Sequence, residues 1–356
     1  MDSSKQALTA LLGPHSGIER PIIQAPMAGL QASAMAIAVC NAGGLGSLPT
    51  ATLSLEVLAS ELAALRAGTS NPYNVNFFVH EVSVADAARE AKWREALAPY
   101  FKEYGIDPAS IPAGPGRAPF SHQAADVLEP YKPAVVSFHF GLPPKDLMSR
   151  VRSWGSKIIS SATTVAEAQW LAARGVDAII AQGLEAGGHR GMFLTPDLTT
   201  QAGTFALLPQ IIAAVKVPVI AAGGIADSAG VRAALGLGAI AAQVGTSYLL
   251  CQEATTSAVH RAALKSESAK HTALTNVFTG RPARGIMNRL MRELGPMSTQ
   301  APEFPLASAA VAPLRAKAES QGEGHFSALW SGQNASGCQE ISAAQMTLQL
   351  ANWLKQ

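Results

Sequence analysis

Eight short apolar runs, each bounded by glycine or proline and each followed by a stretch with helical spacing, dominate the first 250 residues and leave the chain few folds. They are PIIQAPM (21–27), GGLGSLP (43–49), YNVNFF (73–78), AVVSFHFG (134–141), KIISSA (157–162), VDAIIAQG (176–183), VPVIAAGG (217–224) and AIAAQVGTSYL (239–249). They read as nearly continuous apolar stretches rather than as alternation, the pattern of parallel strands covered on both faces. Charged residues are 15% and hydrophobic residues 48% of the 356, which excludes disorder and agrees with strands buried on two sides.

The intervening helices announce their ends. Ser54 is placed to cap a helix whose Leu55, Leu58, Leu62 and Leu65 share a face, with Gly68 as its stop. Thr164 and Glu167 have capping-box spacing ahead of Ala168, Leu171 and Ala172, and Gly175 ends that helix. Asp227 or Ser228 can cap the helix carrying Val231, Ala234 and Leu235. Eight such alternations predict an α/β fold, a (β/α)₈ TIM barrel over residues 1–250; a doubly wound open sheet is the alternative. Two strand-to-strand intervals are long, from Phe78 to Ala134 and from Gly183 to Val217, and barrel insertions of that kind build the active face. The first holds a helical stretch from Val84 to Phe101 and then IPAGPGRAPF, a surface excursion. After residue 250 the strand rhythm stops, so 251–356 is expected to be a smaller, mainly helical region over or beside the barrel mouth. Helices are expected near 256–267, 283–294 and 342–355, the last packing back on the barrel through residues such as Met346, Leu350 and Trp353.

The net charge is +2 with no block of like charge, which disfavours a nucleic-acid or anionic-membrane partner. No stretch of about 18 apolar residues and no leader pattern is visible, and the three cysteines form no C-x-x-C. The expectation is a cytoplasmic protein with reduced thiols; a homodimer is left open. The eight histidines show no H-x-H or H-E-x-x-H spacing, G-x-S-x-G is absent, and neither AGPGRAP nor AGGLGS continues into a Walker loop, so no metal site, serine hydrolase or P-loop is expected.

In a barrel, chemistry comes from the C-terminal ends of strands. The seventh run ends in Gly223 and Gly224 and the eighth in Gln243, Gly245 and Thr246. Backbone N–H groups at two adjacent glycine turns make an anion grip, the usual barrel phosphate site, although a single such turn can serve packing alone. GLGAIA (236–241) has dinucleotide-fingerprint spacing, but it follows a helix and precedes a strand, so Gly236 and Gly238 read as a helix stop. Asn74 and Asn76 share one face of the third run, where two amides could meet a heteroaromatic or simply start the strand. His139 ends the fourth run between two phenylalanines, as a site residue or a bonded core histidine. The sixth run leads into LEAGGHRG, where Gln182, Glu185, Gly187, Gly188, His189, Arg190 and Gly191 crowd one loop. Flanking glycines give His189 close access to a ligand, and an imidazole exchanges protons near neutral pH.

IIQAPMAG (22–29), NVNFF (74–78), FHFG (138–141), AQGLEAGGHRG (181–191), AAGGIAD (221–227) and QVGT (243–246) together resemble the bacterial nitronate monooxygenases, formerly 2-nitropropane dioxygenases, across residues 20–250. The resemblance implies a TIM-barrel FMN enzyme that oxidises alkyl nitronates such as propionate 3-nitronate with O₂ to a carbonyl compound and nitrite. It implies that Ala25, Pro26 and Met27 lie along the flavin and that Asn74 or Asn76 bonds it. It further implies that Gln182, Gly187, Gly188, Gly223, Gly224, Gln243, Gly245 and Thr246 hold FMN. His189 would be the catalytic histidine and His139 a second one in the substrate pocket, with Phe304 and Trp330 as aromatic candidates over the substrate. The rival readings are an NAD(P)H-dependent flavin enoyl-thioester or quinone reductase, and a non-redox phosphate-ligand barrel.

Overall fold

In the computed structural model, which describes residues 11–12, 17–111 and 117–352, all eight runs contain a strand of one parallel sheet. These are β1 (Ile22–Gln24), β2 (Gly46–Pro49), β3 (Tyr73–Phe78), β4 (Val135–His139), β5 (Lys157–Ala162), β6 (Ala178–Gln182), β8 (Val219–Ala222) and β9 (Ala241–Val244). A two-residue strand, β7 (Gly188–His189), belongs to a second sheet. The barrel order is β1-β9-β8-β6-β5-β4-β3-β2. Gln24 N–H donates to Leu45 O at 3.0 Å and Leu45 N–H to Ile22 O at 2.9 Å, so the chain entering β2 lies beside β1 and the ring is nearly closed.

The period of two along each strand sorts side chains between lumen and shell. Val75, Phe77, Val136, Phe138, Ile158, Ile179 and Val219 point outward and pack under the helices, while Ile23, Val135, Ile159, Ile180, Ile220 and Ala241 fill the lumen. The shell helices are α1 (Ser33–Asn41), α2 (Leu55–Gly68), α3 (Ala87–Glu103), α4 (His122–Leu128), α5 (Lys145–Ser153), α6 (Val165–Ala173), α7 (Thr204–Ala214) and α8 (Ser228–Gly236). Ser54 Oγ accepts from Val57 N–H, Thr164 Oγ1 from Glu167 N–H and Asp227 Oδ1 from Gly230 N–H, so three caps fall where the sequence puts them. Glu167 does not complete a capping box at Thr164. Its fully buried carboxylate instead accepts from Thr163 N–H and hydroxyl and, across the barrel rim, from Phe193 N–H, each at 2.7 Å.

Beyond residue 250 lie α9 (Ala258–Leu264), β10 (Thr272–Thr275), β11 (Ala283–Ile286), α10 (Arg289–Glu293), α11 (Ala307–Ser320) and α12 (Ala343–Leu350). Residues 283–286, expected to be helical, are instead the central strand of the second sheet, antiparallel to β10 on one side and to β7 on the other. Pairing on both edges outweighs the local spacing there. A second core joins the insertion after β3 to this C-terminal region. Trp93, Leu97 and Phe101 of α3 meet Val311 and Leu314 of α11, and Trp93 Nε1–H donates to Ala307 O at 3.2 Å. Each fully buried leucine in it contributes on the order of 2 kcal/mol. Met346 and Leu350 of α12 pack on Met35 and Val39 of α1. Trp353 and residues 112–116 of IPAGPGRAPF lie outside the described residues. No described helix is long and apolar enough to cross a membrane.

Candidate active site

The alternation that fills the lumen changes chemistry at its top layer. Apolar Ile159, Ile180 and Ala241 are each followed two residues later by Ser161, Gln182 and Gln243, and Val135 is followed by Ser137 and His139. Of these, His139, Ser161, Gln182 and Gln243 line a cavity at the C-terminal mouth together with Ala25, Asn76, Phe78 and Ala222, while Ser137 Oγ accepts from Asn76 Nδ2. It encloses about 1200 Å³ of empty space, part of it continuous with solvent.

His189 reaches this cavity on a strand too short to stand alone. β7 pairs with β11 through Ala283 and Arg284, and the His189 carbonyl accepts from Gln182 Nε2 at 3.0 Å and from His139 Nε2 at 3.1 Å. Gln182 Oε1 in turn accepts from Gly191 N–H at 2.7 Å. Arg190 is fully buried and donates to the carbonyls of Gln182 at 2.7 Å and Gly183 at 2.6 Å, which fastens the loop to the end of β6. Glu185 turns away to Thr204, accepting from its N–H and hydroxyl at 2.8 Å, and so holds the start of α7. The His189 ring lies within 5.3–6.1 Å of Phe304, Trp330, Phe78 and Phe140. Its Nε2 meets Thr279 Oγ1 at 2.9 Å, while Nδ1 has no partner among the described residues and is not sealed from the cavity.

Burial and surrounding guanidinium groups set the charge state of both histidines. Desolvation pushes His139 down to about 3, only partly offset by its bond to the His189 carbonyl. His139 is therefore neutral, with Nε2–H donating and Nδ1 accepting from Ser161 hydroxyl at 3.0 Å. His189 is held well below the ordinary imidazole range by desolvation first and by Arg117 next. Neutral imidazole is its resting form.

The two glycine corners are neighbours. Ala222 pairs with Gln243, so the turns at Gly223–Gly224 and Gly245–Thr246 leave adjacent strands side by side. Gly223 at φ 121° and Gly224 at φ 72° occupy backbone regions that side chains disfavour, and a Cβ on Gly223 would stand 2.8 Å from Thr204 Oγ1. A C-terminal strap closes over this corner. Gly332 N–H donates to Thr246 Oγ1 at 2.9 Å, and Asn334 Nδ2 to Gly224 O at 3.2 Å. Gln243 Oε1 is buried and has no partner among the described residues, an acceptor that a bound heteroaromatic N–H would satisfy.

Of the residues singled out from sequence, Ala25, Pro26, Met27, Asn76, His139, Gln182, Gly187, Gly188, His189, Gly223, Gly224, Gln243, Gly245 and Thr246 line the cavity together. Asn74 does not. It sits one layer deeper, fully buried, with Nδ2 donating to Ser47 Oγ at 3.0 Å. Gln182 is at the wall, yet its amide is committed to the His189 loop. Trp330 lines the cavity and Phe304 packs edge-on against the His189 ring. Sequence reading missed Arg117, Ser161, Thr279, Gly332 and Asn334. Ser161 was within reach, two residues beyond Ile159 on an inward face; the others come from distant segments and carry no local signal. Among the described residues no cluster of histidine, cysteine, aspartate and glutamate is arranged to hold a metal.

A family model described as nitronate monooxygenase matches residues 9–352. The chain belongs to the nitronate monooxygenase family. It is 43% identical to the nitronate monooxygenase of Paraburkholderia phytofirmans over 99% of this chain and 96% of that one. Its fold superposes on a nitroalkane oxidase from Streptomyces ansochromogenes with a TM-score of 0.88 at 37% identity, covering 98% of both chains. FabK from Thermotoga maritima is more distant, with a TM-score of 0.71 at 27% identity over 98% of this chain and 95% of the other. Membership in the nitronate monooxygenase family makes the chain an oxidoreductase.

Proposed function

We propose that the chain binds FMN and uses O₂ to oxidise alkyl nitronates to a carbonyl compound and nitrite. The observation that carries the reading is one cavity holding both a histidine wall and two adjacent glycine corners. FMN fits the donor set. Gly223, Gly224, Gly245 and Thr246 would take its phosphate, with the Thr246 hydroxyl free to donate once its oxygen accepts from Gly332. Gln243 Oε1 and the Asn76 amide would face the ring system, with Ala25, Pro26 and Met27 along it. Bound there, FMN supplies the electron acceptor that nitronate oxidation needs.

The protein's own residues orient the substrate and keep it dry. Phe78, Phe140, Phe304 and Trp330 surround the His189 ring, which lowers the local dielectric and strengthens every polar contact. Neutral His189 has one ring nitrogen on Thr279 and the other at the cavity. When the Thr279 hydroxyl donates to Nε2, Nδ1–H is a donor for a nitronate oxygen; in the other tautomer Nδ1 can take a proton from a nitroalkane. His139 stays neutral and holds the His189 backbone.

Purified protein is expected to be yellow, to release FMN on denaturation and to produce nitrite from propionate 3-nitronate in air. Colourless protein that gains no FMN, or a yellow protein without nitrite release, overturns the reading. Rapid anaerobic bleaching by NADH or NADPH would instead favour a reductase.

A further inference from the structure

Arg117 is the only aspartate, glutamate, lysine or arginine among the described residues lining the cavity, and none of its possible counter-ions is there. No described carboxylate stands within 4.0 Å of its guanidinium. The contacts that bear on the group are an aromatic ring and a like charge. Its Cζ lies 5.5 Å from the Phe304 ring centre, and burial first, then repulsion from Arg315, draws it below the usual guanidinium range. A cation largely removed from water without a partner is costly, and proteins keep one where a ligand supplies the missing charge.

The other arginines near His189 are already engaged. Arg190 is spent on the Gln182 and Gly183 carbonyls, Arg284 donates to Leu184 O at 2.9 Å, and Arg281 donates to Met192 O while stacking 3.9 Å from the Phe140 ring centre. Arg117 is also fixed in place: His80 Nε2–H donates to its backbone carbonyl at 2.8 Å, and the His80 ring packs 4.8 Å from that of Phe304. These neighbours belong to the β3 side of the ring. The glycine corners follow β8 and β9, separated from β3 by β4, β5 and β6 on one side of the ring and by β2 and β1 on the other. Arg117 therefore stands across the mouth from the glycine corners.

We propose that Arg117 is a specificity-determining residue that binds the anionic oxygens of the substrate opposite His189, so that the site selects a planar oxyanion over its neutral conjugate acid. The inference rests on the nitronate reading for its substrate, but the binding of a planar oxyanion can be tested without turnover. The probe is nitrate, planar, singly charged and inert, titrated into the purified holoenzyme by calorimetry and scored in parallel as an inhibitor of nitrite release.

Wild type is expected to bind nitrate saturably and to be inhibited by it competitively. Arg117→Gln is expected to weaken nitrate binding and raise KM for the nitronate by about 10- to 100-fold, the range of one charge-assisted hydrogen bond, with kcat changed less than about threefold. Arg117→Lys should recover part of the loss, because charge returns without the planar fork. FMN content and melting temperature, measured on each variant, report whether the fold and cofactor site persist. Nitrate binding that is absent in wild type, or equal in wild type and a folded Arg117→Gln, overturns the proposal. If nitrate binds through Arg117 but no nitronate yields nitrite, the anion site stands and the proposed reaction falls.

Discussion

His139 donates from Nε2 to the backbone carbonyl of His189, 3.1 Å away, while its own Nδ1 accepts from Ser161. One histidine thus aims the other through the main chain. The same carbonyl takes a second bond from Gln182, and β11 grips the strand from outside, so the imidazole that faces the cavity is held by three separate elements.

His139→Phe is expected to keep FMN and to lower kcat for nitrite release by about tenfold to a hundredfold, since misplacement of a catalytic group costs rate steeply. His139→Gln, whose amide can still donate, is expected to recover part of that loss. Equal kcat values in wild type and the Phe variant would show that Gln182 and β11 suffice.

His189→Ala removes the group at the cavity itself. The expected outcome is a yellow protein, with FMN bound as in wild type and nitrite release lowered by about 10²- to 10⁴-fold, the span of general acid–base and donor contributions. A visible spectrum and a nitrite assay on the same preparation check it.

The eight strands were legible because each is buried on both faces and says so in a continuous apolar run, and His189 because glycines flank it at the end of one. The rest was written elsewhere in the chain. Gly188–His189 is too short to read as a strand, and becomes one only because Ala283 and Arg284 arrive from about a hundred residues downstream. Thr246 meets Gly332 across a similar separation and Arg117 meets Phe304 across about twice as much, and no periodicity records such meetings. Asn74 and Asn76 share a face as expected, but depth along the barrel separates them: one bonds Ser47 inside and the other reaches the mouth.

Gly223→Ala is expected to lose cofactor. At φ 121° any Cβ is strained, and this one would press on Thr204 Oγ1 at 2.8 Å, next to the Glu185 carboxylate that holds α7. The variant should elute from gel filtration with markedly less FMN than wild type under equal conditions. Full retention would show that the corner does not grip the phosphate.

Stability should decline as acidity rises through the histidine range. His260 is buried, donates from Nε2 to Trp330 O at 3.0 Å and is pushed by desolvation down to about 4, while the unfolded chain binds that proton near ~6.5. The folded state disfavours the proton, so the stabilisation is complete above ~6.5 and is lost progressively as pH falls toward 4. Its size is about 3 kcal/mol by linkage. His260→Gln keeps a donor for the Trp330 carbonyl and removes the titration. Urea midpoints measured from pH 7 to pH 4 should fall less steeply for the variant than for wild type.

Gln243→Leu separates a cofactor ligand from a structural residue. An acceptor that is buried and unpaired is a cost to the protein without its ligand, because it has left water and gained nothing. Replacing it with an apolar side chain of similar size removes that cost, so the apoprotein should melt at the same temperature as wild type or higher. With cofactor present the sign reverses: the flavin would lose the acceptor, and its dissociation constant should rise by about tenfold, the worth of one hydrogen bond to a preformed site. Apoprotein melting curves and flavin titration measure the two halves independently. A variant that is destabilised without flavin would mean that Gln243 serves the barrel rather than the cofactor, and one that binds FMN unchanged would turn the ring away from β9.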